Sequence, residues 1–380
     1  MSREESQASS PSIPDEYSNI DHHTGEDDLY ILHSAIAIGA SYDSIERYPP
    51  PRCHPQTRKV VFEIILSWIN NTLQGPRILW LHGDCGSGKS AVVQTVSEYR
   101  AQSGQLGATF FFSHGQGDLS DGQLFFAAIA YKLAGTIPEM RVPLSRAVQG
   151  DTSIFAQSLE VQVHKLIVEP YSAVPHRPLP TLIVIDGLDA CVGVEVQLHI
   201  LKLIAQLITV HQLPLCFFVT SRGHPHLQAM FDTPVLLRLS NRIPLDVFSS
   251  ERDIRTFLVS EFLGIRHYHA HTMAGIPDPW PSEDVIDLLV AKSAGHFLYP
   301  GTVIKYVDDT AGRPTERLVE AVVSAASDSA LSPTDQLYHH ILSAGDPRPE
   351  TGHTAGSQLK GRLKFDFYVP KPRLNRVTFY

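Results

Sequence analysis

The chain has 380 residues, 43% of them hydrophobic and 19% charged, enough to bury a core in one large domain or two modest ones and too apolar for a wholly disordered protein. A formal charge of −9 argues against a generic binder of nucleic-acid backbone, and no apolar run approaches the roughly 20 residues that span a bilayer. Cys53, Cys85, Cys191 and Cys216 lie far apart with no CxxC pair, which argues against a disulfide scaffold or zinc ribbon and points to a reducing, cytoplasmic setting.

Residues 1–28 hold eight acids against one base, lack periodicity and read as a disordered tail. Residues 1–52 are expected to be a tail and entrance segment, largely disordered, with one short helix in LYILHSAIAIGA. YPPPR then interrupts structure, because consecutive prolines cannot continue a helix. Residues 60–73 carry Val61, Ile64, Ile65, Trp68, Ile69 and Leu73 at helical spacing. From there apolar strands alternate with helices. Strands are predicted at 78–82, 108–113, 181–186, 215–221 and 235–239, and helices at 90–103, 122–135, 159–171 and 194–210. Fully apolar strands alternating with helices predict an α/β fold, a parallel five-stranded sheet covered on both faces. After residue 245 the pattern turns helical: 251–264, 282–295, 302–309, 316–327 and 335–344. It fades into a Gly/Pro/basic tail over 344–380.

The strongest chemical signal follows the first strand. Gly83-Asp84-Cys85-Gly86-Ser87-Gly88-Lys89-Ser90 matches G-x-x-x-x-G-K-[ST] between a strand and a helix. Glycines let the backbone wrap a phosphate with its N–H groups inward, and the helix start presents its positive end. Lys89 can reach the β- and γ-phosphates, and the Ser90 hydroxyl can ligate Mg²⁺. TLIVIDGLDAC places Asp186 at the end of an apolar strand, where it can hold the Mg²⁺ shell opposite Ser90, with Asp189 in the same crevice. In LCFFVTSRGHPHL, Thr220, Ser221 and Arg222 end the next strand on the same edge, and Arg222 can sense a γ-phosphate. The run RHYHAHTM has no acidic or Cys partner at a recognisable metal spacing and reads as a solvated loop.

In this order the motifs resemble the NACHT family of STAND-class P-loop NTPases. The resemblance is closest to fungal members with a nephrocystin-3-like N-terminal region. CHPQTRKVVFEIILSWI is similar to their entrance segment, GDCGSGKS to Walker A and FFFSHGQGD to their second strand. LEVQVHKLIVEP is similar to the stretch before Walker B, VIDGLDAC to Walker B, VTSRGHPHL to sensor 1, and KSAGHFLY to the helical segment that follows. The resemblance implies an NTPase domain over 53–245 and a helical domain over 246–343. It implies ATP or GTP with Mg²⁺ as ligands, Arg58 near the base or ribose, and nucleotide-dependent oligomerisation or protein partners in signalling. It also implies a continuation into winged-helix and repeat domains, before which this sequence ends.

Two residues depart from the pattern. Ala190 replaces the glutamate that polarises attacking water, so binding would survive and hydrolysis would be slow. His114 stands where the family often has arginine. Three readings stay open: a regulatory switch with weak turnover, a competent NTPase with Asp189 as base, and an interaction module with structural nucleotide.

Overall fold

The computed structural model describes residues 28–174, 180–248, 251–310, 312–324 and 332–344. The two expected tails, over 1–27 and 345–380, lie outside these residues.

Helices α1 (Asp28–Ser34) and α2 (Lys59–Asn70) precede strand β1 (Ile78–His82). Helix α3 (Lys89–Gln102) and strand β2 (Leu106–Phe111) follow. Next come α4 (Phe125–Thr136), α5 (Arg141–Gly150), α6 (Leu159–Val163) and α7 (Glu169–Ser172), the last two joined by a π-helical stretch at His164–Val168. Strand β3 (Thr181–Asp186), α8 (Val194–Thr209), β4 (Leu215–Ser221), α9 (Pro225–Phe231), α10 (Pro234–Leu239) and β5 (Ser240–Pro244) complete the sheet region. The described chain ends in α11 (Glu251–Tyr268), α12 (Glu283–Ser293), α13 (Leu298–Asp308), α14 (Pro314–Ser324) and α15 (Pro333–Ala344). No described helix is long and apolar enough to cross a membrane.

The five strands are parallel, in the order β2-β3-β4-β1-β5. Successive side chains feed opposite faces, which is why the central strands are apolar throughout. Ile78 and Trp80 enter one core with α4, α5 and α8; Leu79 and Leu81 enter the other with α2 and α3. Each fully buried aliphatic side chain contributes about 1.5–3 kcal/mol. A third, all-helical core joins α11–α15 around Phe262, Leu289, Tyr299 and Val303.

Two expectations change. The strand expected at 235–239 is helix α10, and the fifth strand is the next five residues. An apolar run of five fits either element. Pro234 in the first helical turn favours the helix, and only Leu236 of VLLRL is fully buried while Leu237 is 57% exposed. The entrance segment, expected to be largely disordered, is folded from Asp28 onward. Leu32, Ile36, Ala37 and Ala40 belong to the first core, and their spacing of about four residues was the available signal.

The strand order sets the site. Because β4 lies between β1 and β3, the ends of three neighbouring strands deliver the loop after His82, the turn after Asp186 and the Ser221-Arg222 exit side by side. Open parallel sheets bind ligands at this carboxyl edge.

Candidate functional site

Residues Gly83, Asp84, Cys85, Gly86, Ser87 and Gly88 turn between β1 and α3, and Lys89 and Ser90 open the helix. Gly86 has φ +78°, a conformation L side chains avoid, and a Cβ there would sit 2.7 Å from Cβ of Leu298 at the start of α13. The Phe297 N–H donates to the Gly86 carbonyl at 3.2 Å. The helical domain therefore rests directly on the loop.

Lys89 Nζ donates to the carbonyls of Gly83 and Asp84, both at 2.7 Å. Burial lowers its pKa, while the charges of Asp186, Asp189, Cys85 and Asp246 oppose that shift. The Asp246 carboxylate, just after β5, accepts from the Asp84 N–H at 3.1 Å and ties the loop to the linker toward α11.

Arg58 is the residue before α2, with φ +58°, and is 3% exposed. Its guanidinium donates to the carbonyls of Ser87 (2.7 Å) and Phe248 (2.9 Å) and lies 5.2 Å from the Phe297 ring centroid. Its N–H donates to the Asp253 carboxylate at 2.9 Å. Arg58 thus braces the phosphate loop against the linker and the helical domain, with both Nη atoms engaged by backbone carbonyls.

Asp186 ends β3 and is 4% exposed. The Thr220 hydroxyl donates to its carboxylate at 2.5 Å and accepts from the Gly187 N–H at 3.0 Å, so neighbouring strand ends orient the acid. Gly187 takes φ +68°, with space for a Cβ limited by the Phe112 carbonyl at 3.3 Å. Ser90 and Asp186 offer a hydroxyl and a carboxylate, the hard oxygen donors Mg²⁺ selects. No cluster of three or more His, Cys, Asp or Glu suited to a metal occurs among the described residues.

Asp189 and Arg222 meet in an ion pair. The Asp189 carboxylate accepts from the Arg222 N–H at 2.9 Å and pairs with Nε of the same residue at 2.9 Å; the acid side chain is 5% exposed, the arginine 40%. His114 and His224 place their Nε2 atoms 3.8 and 3.9 Å from the same carboxylate oxygen. Arg222 Nη2 lies 2.7 Å from His114 Nε2, which accepts in the tautomer that carries the ring proton on Nδ1. Ala190 is buried in the turn after Asp189 and presents a methyl group, unable to polarise water.

The structure thus brings the loop, Asp186, Asp189 and Arg222 to one edge and sets Arg58 behind the loop. Asp246 was missed, because it lies outside any motif, following the end of β5 by two residues. Leu298, His114 and His224 lie inside quoted motifs, but the approach of Leu298 to Gly86 and of the two histidines to Asp189 was not foreseen.

Residues 61–222 match the family described as nephrocystin 3, N-terminal. No curated protein matches the chain. Among solved structures the chain is similar to a DNA replication initiation factor, with 10% identity over 80% of each chain and a TM-score of 0.32. It is also similar to C. elegans PCH-2, with 9% identity over 82% of this chain and 73% of that one and a TM-score of 0.33. A third similarity is to AMPPCP-bound DnaA from Aquifex aeolicus, with 10% identity over 81% of this chain and 98% of that one and a TM-score of 0.27. These weak likenesses carry no argument about the chemistry. The parallel sheet and its loop give the chain a P-loop NTPase-like fold, with a match to the nephrocystin 3 N-terminal family over residues 61–222.

Proposed function

We propose that this protein is a nucleotide-binding regulatory switch of the NACHT type, taking ATP or GTP with Mg²⁺ and hydrolysing it weakly, in a cytoplasmic signalling or self/non-self recognition role. The observation that carries this reading is the direct seat of the helical domain on the phosphate loop, through Phe297 and Leu298 on Gly86. A loop that changes shape around a nucleotide would pass that change to the helices, which is what a switch requires.

Lys89 would leave the Gly83 and Asp84 carbonyls for phosphate oxygens, and the loop N–H groups would complete the cradle. Ser90 and Asp186 would hold Mg²⁺, which supplies charge neutralisation between phosphates when bound. Arg222 would exchange Asp189 for a terminal phosphate, so a triphosphate and a diphosphate would leave the site in different states. With Ala190 in place of a water-polarising acid, turnover would be slow. The competing reading, Asp189 as general base, meets an obstacle: both oxygens of that carboxylate are engaged by Arg222.

The test is titration of purified protein with ATP, ADP, GTP and GDP, with light scattering in each state and a steady-state hydrolysis assay. Micromolar binding, a nucleotide-dependent change in mass and turnover well below one per second are expected. Hydrolysis at several per second would contradict the weak-turnover reading. One oligomeric state with every nucleotide would leave an interaction module with structural nucleotide.

A further inference from the structure

Arg47 ends a short 3₁₀ turn (Ile45–Arg47) in the entrance segment, outside every motif of the phosphate site. The segment is stitched across α3 and β2. The Tyr42 N–H donates to Thr109 Oγ1 (3.0 Å), Gln94 Nε2 to the Tyr42 carbonyl (3.0 Å), and the Cys53 N–H to Thr95 Oγ1 (3.1 Å). On this platform the Arg47 guanidinium lies 3.6 Å from the Phe111 ring centroid. Its one described hydrogen bond is a long one, Nη2 to Gln94 Oε1 at 3.4 Å, and Nε is buried without a partner.

That position is close to the metal and phosphate site for a topological reason. Phe111 is the register partner of Asp186, so the two side chains leave the sheet on the same face, the face covered by α3, about 4.8 Å apart in strand spacing. Gln94 follows Ser90 by four residues, one turn along the same side of α3. The guanidinium, held between Phe111 and Gln94, is therefore one strand from Asp186 and one helical turn from Ser90. Five donors are available on an arginine, and the fold uses few of them here. Holding a cation in such surroundings is unfavourable unless something in reach takes up its donors.

We propose that Arg47 is a phosphate-contacting arginine supplied in cis by the entrance segment, moving from Phe111 to the terminal phosphate of a bound Mg²⁺–nucleoside triphosphate. This rests on the nucleotide-switch reading. An arginine in that role stabilises charge on a terminal phosphate and leaves a diphosphate untouched. It also makes residues 42–53 a reporter of the triphosphate state, because the same segment is bonded to α3 and β2.

The test compares wild type, Arg47→Met and Arg47→Lys by calorimetry with Mg²⁺–AMPPNP and Mg²⁺–ADP. Methionine keeps the apolar stem over Phe111 and removes the charge. We expect Arg47→Met to weaken AMPPNP binding about tenfold and to change ADP binding less than twofold, with Arg47→Lys in between. Circular dichroism melting without nucleotide checks the fold of each variant. Equal losses for both nucleotides, or no loss for AMPPNP, would overturn the proposal while leaving the nucleotide site standing. Wild-type protein that binds neither nucleotide would instead remove the nucleotide-switch reading and this proposal with it.

Discussion

Replacing Asp189 by Asn tests the latch on Arg222. Asparagine keeps the shape and an oxygen to accept from the Arg222 N–H, now 2.9 Å away, and removes the charge opposite Nε. Two unit charges about 4 Å apart at an effective dielectric of about 20 attract by about 4 kcal/mol. The arginine is 40% exposed, so solvent screens much of this, and the net loss is about 1–2 kcal/mol. If a triphosphate must compete with Asp189 for Arg222, removing the competitor raises triphosphate affinity by about the same amount, roughly tenfold at 1.4 kcal/mol, and leaves ADP affinity unchanged. The assay is calorimetric titration of Asp189→Asn and wild type with Mg²⁺–AMPPNP and Mg²⁺–ADP, with ATP turnover measured in parallel. Unchanged or weaker triphosphate binding would refute the latch. Lost turnover with unchanged affinities would instead support Asp189 as base.

Two further outcomes follow from the geometry. Leu298→Ala trims the half-buried side chain that covers Gly86, so it should lower stability toward urea by about 1–2 kcal/mol and speed amide hydrogen exchange over residues 83–90 without nucleotide; unchanged exchange there would show that the helical domain does not restrain the loop. Burial lowers the pKa of His54 and of His82, the latter also through Arg242 and Lys89 against the opposing charge of Asp246. The unfolded chain, with histidines near about 6.5, then binds more protons than the folded one, so stability is fully present above that pH and is lost as pH falls from it through the lower folded values. Urea midpoints at pH 7 and pH 5 should differ accordingly, and His82→Gln should reduce the difference; an unchanged difference would contradict the assignment.

Much of the architecture is legible in the sequence because β1, β3 and β4 are buried on both faces, so ILWLH, TLIVID and LCFFVTS have no polar face to blur them. The edge strand β5 was misplaced by five residues for the opposite reason. Its sequence, SNRIP, buries only Ser240 and Ile243, while the apolar VLLRL before it is a half-exposed helix. The loop residues 83–90 and Asp186 are local in sequence, and each motif places itself at the end of its own strand. What periodicity could not supply is contact between distant segments. The Asp189–Arg222 pair depends on β3 and β4 being neighbours, the Asp246 bond on where β5 exits, and the Leu298 contact on how the third core docks. Arg58 illustrates the difference: the resemblance implied a place near the base or ribose, and the packed structure engages its guanidinium with the Ser87 and Phe248 carbonyls.

The central claim is that residues 83–90, with Lys89 at the helix start, bind the phosphates of a nucleotide. Equilibrium titration of wild type and Lys89→Ala with Mg²⁺–ATP tests it most directly. Lys89 donates to two loop carbonyls and carries a charge no other loop residue replaces, so its loss should weaken binding a hundredfold or more, about 2.7 kcal/mol, while the melting temperature without nucleotide stays within a few degrees. Full affinity retained by Lys89→Ala, in a protein that still folds, would contradict the assignment of the site.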